Sequence, residues 1–224
     1  MKLSYSALKN YLTCPYKYYL SQFFKSLPNP KLEGGRKVHE VISKFYEDLT
    51  KRGNIEERAI YPTITRYAQE VLGEEFLNYI LAFKNFESFE LWRRRVMMLT
   101  PITVEEVFES NELIGIPDVV FVCNDGKKCV VDWKTFSIPK DANIQAYFYQ
   151  KLTGADYIIF FSLVRGVRKV FRKEEVEGCG EIVEKVREEI LAGNFHKNKG
   201  AWCKDCEYRL FCELEGEVRL GGVF

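Results

Sequence analysis

Val38, Val41, Ile42, Phe45, Tyr46 and Leu49 recur at intervals of three and four, a single apolar stripe that predicts a helix from Lys31 to about Lys51. Gly53-Asn54 ends it. Upstream, residues 4–24 predict two short helices, with Ser4 or Ser6 able to cap the first and Pro15 suited to the first turn of the second. From Tyr61 to Met98 the period stays helical, with breaks expected near Gly73 and Asn85, and the stretch reads as a helical insertion rather than a second domain. The pattern then changes to short β-branched runs, predicting strands at about 102–109, 112–123 and 128–136. A helix over 141–152, a strand over 157–164, a further strand near 167–171 and a helix over 181–191 complete the chain, the last closed by Gly193-Asn194. There is no internal repeat. The order helices, strands, helix, strand, helix implies an α/β fold with a mixed central sheet.

The 224 residues are enough for one sizeable core, and 46% apolar with 29% charged residues describes a soluble globular protein. No apolar run approaches the roughly 18–20 residues that span a bilayer, so no membrane partner is expected. The start, Met1-Lys2-Leu3-Ser4-Tyr5, lacks the apolar core of a signal peptide, and a cytoplasmic location is expected. A net charge of +1 neither requires nor excludes nucleic acid, because a local basic groove can hide in a neutral total.

Seven cysteines in such a chain point to metal or redox chemistry rather than a disulfide scaffold. Cys123 and Cys129 lie in apolar strands and Cys179 beside a helix start, so these three read as small packed side chains. Cys203, Cys206 and Cys212 differ: their C-x2-C-x5-C spacing lies in a short polar segment.

The most informative stretch is Gly115-Ile116-Pro117-Asp118 together with Asp132-Trp133-Lys134. Val119-Val120-Phe121-Val122 follows the first and Val130-Val131 precedes the second, and Asn124-Asp125-Gly126 is a turn between them. Two antiparallel strands so joined bring the two motifs together. Asp132 and Lys134 project from the same face of one strand. Two carboxylates beside an ammonium would hold a hard divalent cation next to a group able to handle an attacking water, an arrangement suited to phosphodiester hydrolysis.

Several motifs in one order resemble those of the PD-(D/E)XK nuclease superfamily, and within it the RecB-like exonucleases. They are Ser6-x-Leu8-x-x-Tyr11-x-x-Cys14-Pro15-x-x-Tyr18-x-Leu20, Gly35-x-x-x-His39, Gly115-Ile116-Pro117-Asp118 with Asp132-x-Lys134, Gln145-x-x-x-Tyr149, and the three closing cysteines. The resemblance runs nearly end to end. It implies one nuclease domain over residues 1–224: a helical part and insertion over about 1–100, a catalytic sheet core over about 101–192, and a cysteine segment over about 193–224 joined to Cys14. It implies that His39, Asp118, Asp132 and the carbonyl of Trp133 bind Mn2+ or Mg2+. Lys134 would orient or activate water, while Gln145 and Tyr149 would face the site and position the nucleic-acid backbone. Asp at 132, where many relatives carry Glu, is within the family pattern. Cys14 with Cys203, Cys206 and Cys212 would make four thiolates, which suit a [4Fe–4S] cluster or structural zinc. Relatives with this pattern carry the iron–sulfur cluster, and its role would be structural.

The implied function is a metal-dependent exonuclease acting on single-stranded DNA. The resemblance includes stand-alone CRISPR-associated RecB-like nucleases of spacer acquisition, as well as repair, recombination and viral nucleases, some with endonuclease activity. CRISPR adaptation or recombination proteins are the implied partners. A non-catalytic DNA-binding subunit and a zinc-stabilised interaction module are the readings from other classes. For the substrate path, the tyrosines and phenylalanines between Tyr11 and Phe24, and Trp92 beside Arg93-Arg94-Arg95, would line a basic, aromatic channel. Arg36, Lys37, Lys197 and Lys199 are further candidate phosphate contacts.

Overall fold

The computed structural model describes residues 1–25, 30–96 and 98–214. Residues 215–224 of the expected cysteine segment lie outside the described residues. The chain begins with β1 (Leu3–Ser4), α1 (Tyr5–Thr13) and α2 (Pro15–Ser21). Three longer helices follow: α3 (Pro30–Arg52), α4 (Glu57–Leu72) and, after a 3-10 turn at Gly73–Tyr79, α5 (Ile80–Arg95). Then come β2 (Met98–Val104), β3 (Phe108–Glu109), β4 (Leu113–Gly115), β5 (Val119–Cys123) and β6 (Lys128–Lys134). The chain continues with α6 (Ala142–Thr153), β7 (Tyr157–Ser162), β8 (Val167–Arg172), α7 (Lys173–Val176), α8 (Gly180–Leu191), a 3-10 turn at Ala201–Asp205 and α9 (Arg209–Leu214). Two compact units result, one of Met1–Lys2 with Pro30–Gly180, the other of Leu3–Asn29 with Glu181–Phe224. Among the described residues no helix is long and apolar enough to cross a membrane.

The first unit is built on a five-stranded sheet in the order β2-β5-β6-β7-β8. Only the β6–β7 pair is parallel; the other three are antiparallel. A parallel pair needs a crossover, and α6 supplies it. The sheet is therefore mixed, as the sequence implied. Period-two alternation sorts its residues by face. Val119, Phe121, Val131, Trp133, Ile159 and Phe161 pack with Val41, Phe45, Tyr46, Phe86 and Phe89 of α3 and α5 in one apolar cluster. Phe160, on the opposite face, stacks against Tyr149 of α6. Helices thus cover both faces.

Trp133 is the centre of the first cluster. Its ring lies 4.7 Å from that of Phe89, 5.3 Å from Phe86 and 6.2 Å from Tyr46. Each such aromatic pair adds about 0.5–1.5 kcal/mol beyond area burial. The tryptophan between the two charged residues of the motif therefore anchors the end of β6 in the core.

Three local expectations change. Asn85 lies inside α5 and breaks nothing, because its amide turns outward from the helix to donate to the carbonyls of Leu163 (2.7 Å) and Val164 (3.2 Å). The strand expected over 112–123 is interrupted at Ile116-Pro117-Asp118, where proline has no N–H to offer a ladder. The strand expected over 102–109 stops at Val104, and Glu105 takes a left-handed φ of 48°.

A fourth change concerns the arginine run. Glu90 and Arg93 are buried, at 0% and 3% exposure. The Glu90 carboxylate pairs with both Arg93 nitrogens that face it, accepts from Arg94 Nε (3.1 Å) and from the Tyr46 hydroxyl (3.1 Å). Arg93 Nη1 also donates to the Met98 carbonyl (2.5 Å), and Arg94 Nη1 to that of Ile55 (2.6 Å). Arg93 and Arg94 are thus held by the core at the α5 terminus and are not phosphate contacts; Arg95 alone of the three is exposed. Removing one partner of a buried pair strands the other charge, at a cost of about 3–5 kcal/mol. Glu90→Ala and Arg93→Ala should each lose about that much stability in chemical denaturation, whereas Arg95→Ala should change it by less than about 0.5 kcal/mol.

Candidate active site

β5 and β6 are adjacent and antiparallel, with Val119 opposite Val131. That register sets Asp118, just before β5, across from the end of β6. The Asp118 carboxylate uses the position: Oδ2 accepts the Trp133 backbone N–H at 2.6 Å. The Trp133 N–H, at the end of the ladder, is thus satisfied by a side chain rather than by a backbone carbonyl. The other oxygen, Oδ1, faces His39 Nδ1 at 3.2 Å. His39 reaches it from α3, whose approach depends on Gly35, where a Cβ would stand 3.2 Å from Thr135 Oγ1.

Asp132 has the same division between its two oxygens. It is 3% exposed, and Oδ2 accepts from the Tyr149 hydroxyl (2.5 Å) and from Gln145 Nε2 (3.0 Å). Oδ1 stands 2.6 Å from the Lys134 ammonium, yet it makes no well-directed hydrogen bond. The contact is one of charge rather than of aimed N–H groups. Lys134 Nζ instead donates to Gln145 Oε1 at 3.0 Å. Gln145 and Tyr149 are one helical turn apart and also bond each other, Nε2 to hydroxyl at 2.8 Å. The two residues of α6 thus hold the Asp132 carboxylate. Gly115 packs against α6: a Cβ there would lie 2.9 Å from the Leu152 Cδ1 methyl and 3.9 Å from the Tyr149 ring.

These surroundings shift the titrations. Burial, the largest influence on Asp132, raises its pKa, with Lys134 opposing and the Asp118 charge adding to the rise. Burial opposes an imidazolium at His39, but the charge and hydrogen bond of Asp118, with Asp132 behind it, outweigh burial and raise the pKa. Tyr149 is pushed well above the ordinary phenol value, chiefly by burial and then by Asp132, and remains a donor.

His39 and Lys134 open onto a cleft of about 850 Å3, lined also by Gly35, Arg36, Glu40, Glu105, Trp133, Thr135, Phe136 and Ser137. Arg36 is exposed on its wall. Lys37 is paired with Glu75 at 3.2 Å. The sequence reading missed Phe136 and Glu105. Phe136 follows the motif lysine by two positions in an apolar strand pattern, and only its exposure distinguishes it.

The four cysteines lie in the second unit. Cys14, Cys203, Cys206 and Cys212 all line one cavity of about 720 Å3, together with Tyr16, Lys197 and Trp202 among others. The Asn198 N–H points at Cys14 Sγ (3.3 Å) and that of Gly200 at Cys203 Sγ (3.4 Å). Burial, and then the other three cysteines, raise the Cys212 pKa against the opposing Lys197 charge. Lys197 Nζ donates to the Cys212 carbonyl at 2.9 Å, and this lysine belongs to the cysteine cavity rather than to the cleft. The remaining cysteines lie outside the cavity; Cys129 and Cys179 are buried, and Cys179 accepts from Asn143 at 3.2 Å. Tyr11, Tyr16 and Tyr18 are buried, while Phe23 and Phe24 are exposed. Among the described residues, no three His, Cys, Asp or Glu side chains are drawn together as a ready metal site.

No curated protein matches the sequence. The crystal structure of SSO0001 aligns at a TM-score of 0.42 and 14% identity, over 95% of this chain and 86% of that one. The family model described as the PD-(D/E)XK nuclease superfamily matches residues 2–213, and with Asp118, Asp132 and Lys134 gathered at the strand ends, the chain belongs to that superfamily.

Proposed function

We propose that the protein is a metal-dependent deoxyribonuclease that hydrolyses single-stranded DNA from an end. The observation that carries this reading is the parallel division of labour in the two aspartates. Each has Oδ2 fixed by structural donors and Oδ1 turned towards a basic side chain, His39 on Asp118 and Lys134 on Asp132. A hard divalent ion suits that donor set, with His39, Asp118, Asp132 and the Trp133 carbonyl as its holders, and the imidazole favours Mn2+ over Mg2+. When bound, such an ion polarises the phosphodiester and makes water more acidic. Lys134, oriented by Gln145, presents fixed positive charge where the phosphate accumulates negative charge. Tyr149 and Gln145 keep Asp132 from turning. Arg36 offers the cleft wall's exposed guanidinium to a neighbouring phosphate.

In the second unit, four thiols around one cavity fit a [4Fe–4S] cluster, with backbone N–H groups directed at two of the sulfurs. The cluster's role here is structural. The same segments are already joined by Tyr11 donating to the Asn194 carbonyl (2.7 Å) and Tyr208 to that of Phe24 (3.2 Å).

Three outcomes test these assignments. Asp132→Asn and Lys134→Ala should lower Mn2+-dependent degradation of end-labelled single-stranded DNA by about a hundredfold or more, with the thermal transition retained. Activity close to wild type in either variant would remove the mechanism, and equal rates on linear and circular single strands would make the enzyme an endonuclease. Metal binding requires a neutral His39 and an ionised Asp132, both of which hold protons above their usual range. The Mn2+ concentration giving half-maximal activity should therefore rise by about tenfold or more per pH unit as pH falls below the raised His39 pKa, and level off above it. Anaerobically purified protein should contain about four irons per chain. Cys14→Ser and Cys206→Ser should lose that iron, and Cys179→Ser should keep it; a single zinc per chain would replace the cluster assignment and leave the nuclease reading in place.

A further inference from the structure

Phe136 is an apolar ring left 52% exposed on the wall of a polar cleft. Burial of such a side chain is favourable, so its exposure in the cleft has a cost in the free protein. The backbone that carries it is firmly held. The three carbonyls that precede and include it are each taken by a group at the end of β7 or just beyond. Leu163 N–H donates to Lys134 (2.8 Å), Val164 N–H to Thr135 (3.0 Å), and the Ser162 hydroxyl to Phe136 itself. Gly35 packs closely behind Thr135. The backbone carrying the ring is therefore fixed relative to Asp132 and Lys134.

Along with this ring the cleft is lined by Arg36, His39 and Lys134, and by Glu40 and Glu105. A flat apolar face beside cations matches a ligand that has a π-face and a phosphate in each unit. We propose that Phe136 is a stacking platform for one unpaired nucleobase of the strand being cut, with Arg36 on an adjacent phosphate. The proposal rests on the nuclease reading and adds what the site takes: a nucleotide whose base face is free. In a duplex both faces of each base are covered by neighbours, so the platform selects single strands. Phe136 acts by positioning; it touches the base and not the reacting phosphate.

The test is binding, measured in EDTA so that cleavage plays no part. Fluorescence anisotropy would compare an ordinary single-stranded oligonucleotide with one of the same length made wholly of abasic nucleotides. Wild-type protein should bind the ordinary strand about tenfold or more tightly than the abasic one. Phe136→Ala should lose that preference while keeping its affinity for the abasic strand, and Phe136→Trp should restore it. Thermal stability should be unchanged in both variants, because the ring is exposed. Equal loss by Phe136→Ala on both strands, no loss on either, or no preference in the wild type would each overturn the platform. Failure of the wild type to degrade DNA with Mn2+ would instead overturn the nuclease reading, and the two failures are read in separate assays.

Discussion

Asp132 is a carboxylate with 3% exposure at the end of a central strand. An ionised group in that position must be given partners, since burial without them shifts it to the neutral form. Tyr149 and Gln145 supply two hydrogen bonds to one oxygen, and Lys134 supplies charge to the other. Those three come from a neighbouring helix and from the same strand, so the carboxylate dictates where α6 must lie. Gly115 is small because that helix must approach, and β4 stops there because Pro117 follows. Asp118 then closes the gap by bonding Trp133 N–H. The buried carboxylate thus explains a strand break, a glycine and a helix position together.

The same aspartate shows how much could be read in advance. The turn at Asn124-Asp125-Gly126 and the flanking β-branched runs give the hairpin, and period two gives the common face of Asp132 and Lys134. Those are local properties, carried by the residues themselves. That Gln145 and Tyr149 face the site was expected only from resemblance, their spacing being equally consistent with a bond between the two, which also exists; their bonds to Asp132 were not expected. The interruption at residues 116–118 was missed although Pro117 announced it. A run of apolar residues on both sides hid the proline's effect on the ladder.

The arginine run failed for a different reason. Three consecutive cations next to a tryptophan have the composition of a nucleic-acid surface, but consecutive helix positions point in directions about 100° apart, and only tertiary packing decides which face is buried. Here Glu90 lies one turn before Arg93 and Arg94 on the buried side, and it neutralises both. The signal was present as an i, i+3 and i, i+4 acid. Trp92 points to the strand side, where Arg168 lies over its ring at 4.3 Å. Phe136 was overlooked by the opposite route, as a phenylalanine continuing an apolar pattern past the end of its strand.

Both corrections follow from what the sheet edge permits. Inside a strand, alternate residues are committed to one covered face or the other, and a charged side chain there must be satisfied by the helices packed on it. Past the last ladder position that commitment ends. Thr135 and Phe136 have left β6, and their backbone is fastened through carbonyls to the end of β7; Thr135 stays buried, while the Phe136 side chain is exposed. A side chain in that location can be rigid and exposed together, a combination that neither a core position nor a free loop offers. Strand ends are therefore where this fold can hold reacting carboxylates and a binding surface in fixed relation. The sequence distance of two residues between Lys134 and Phe136 is what places the ammonium and the exposed ring in the lining of one cleft.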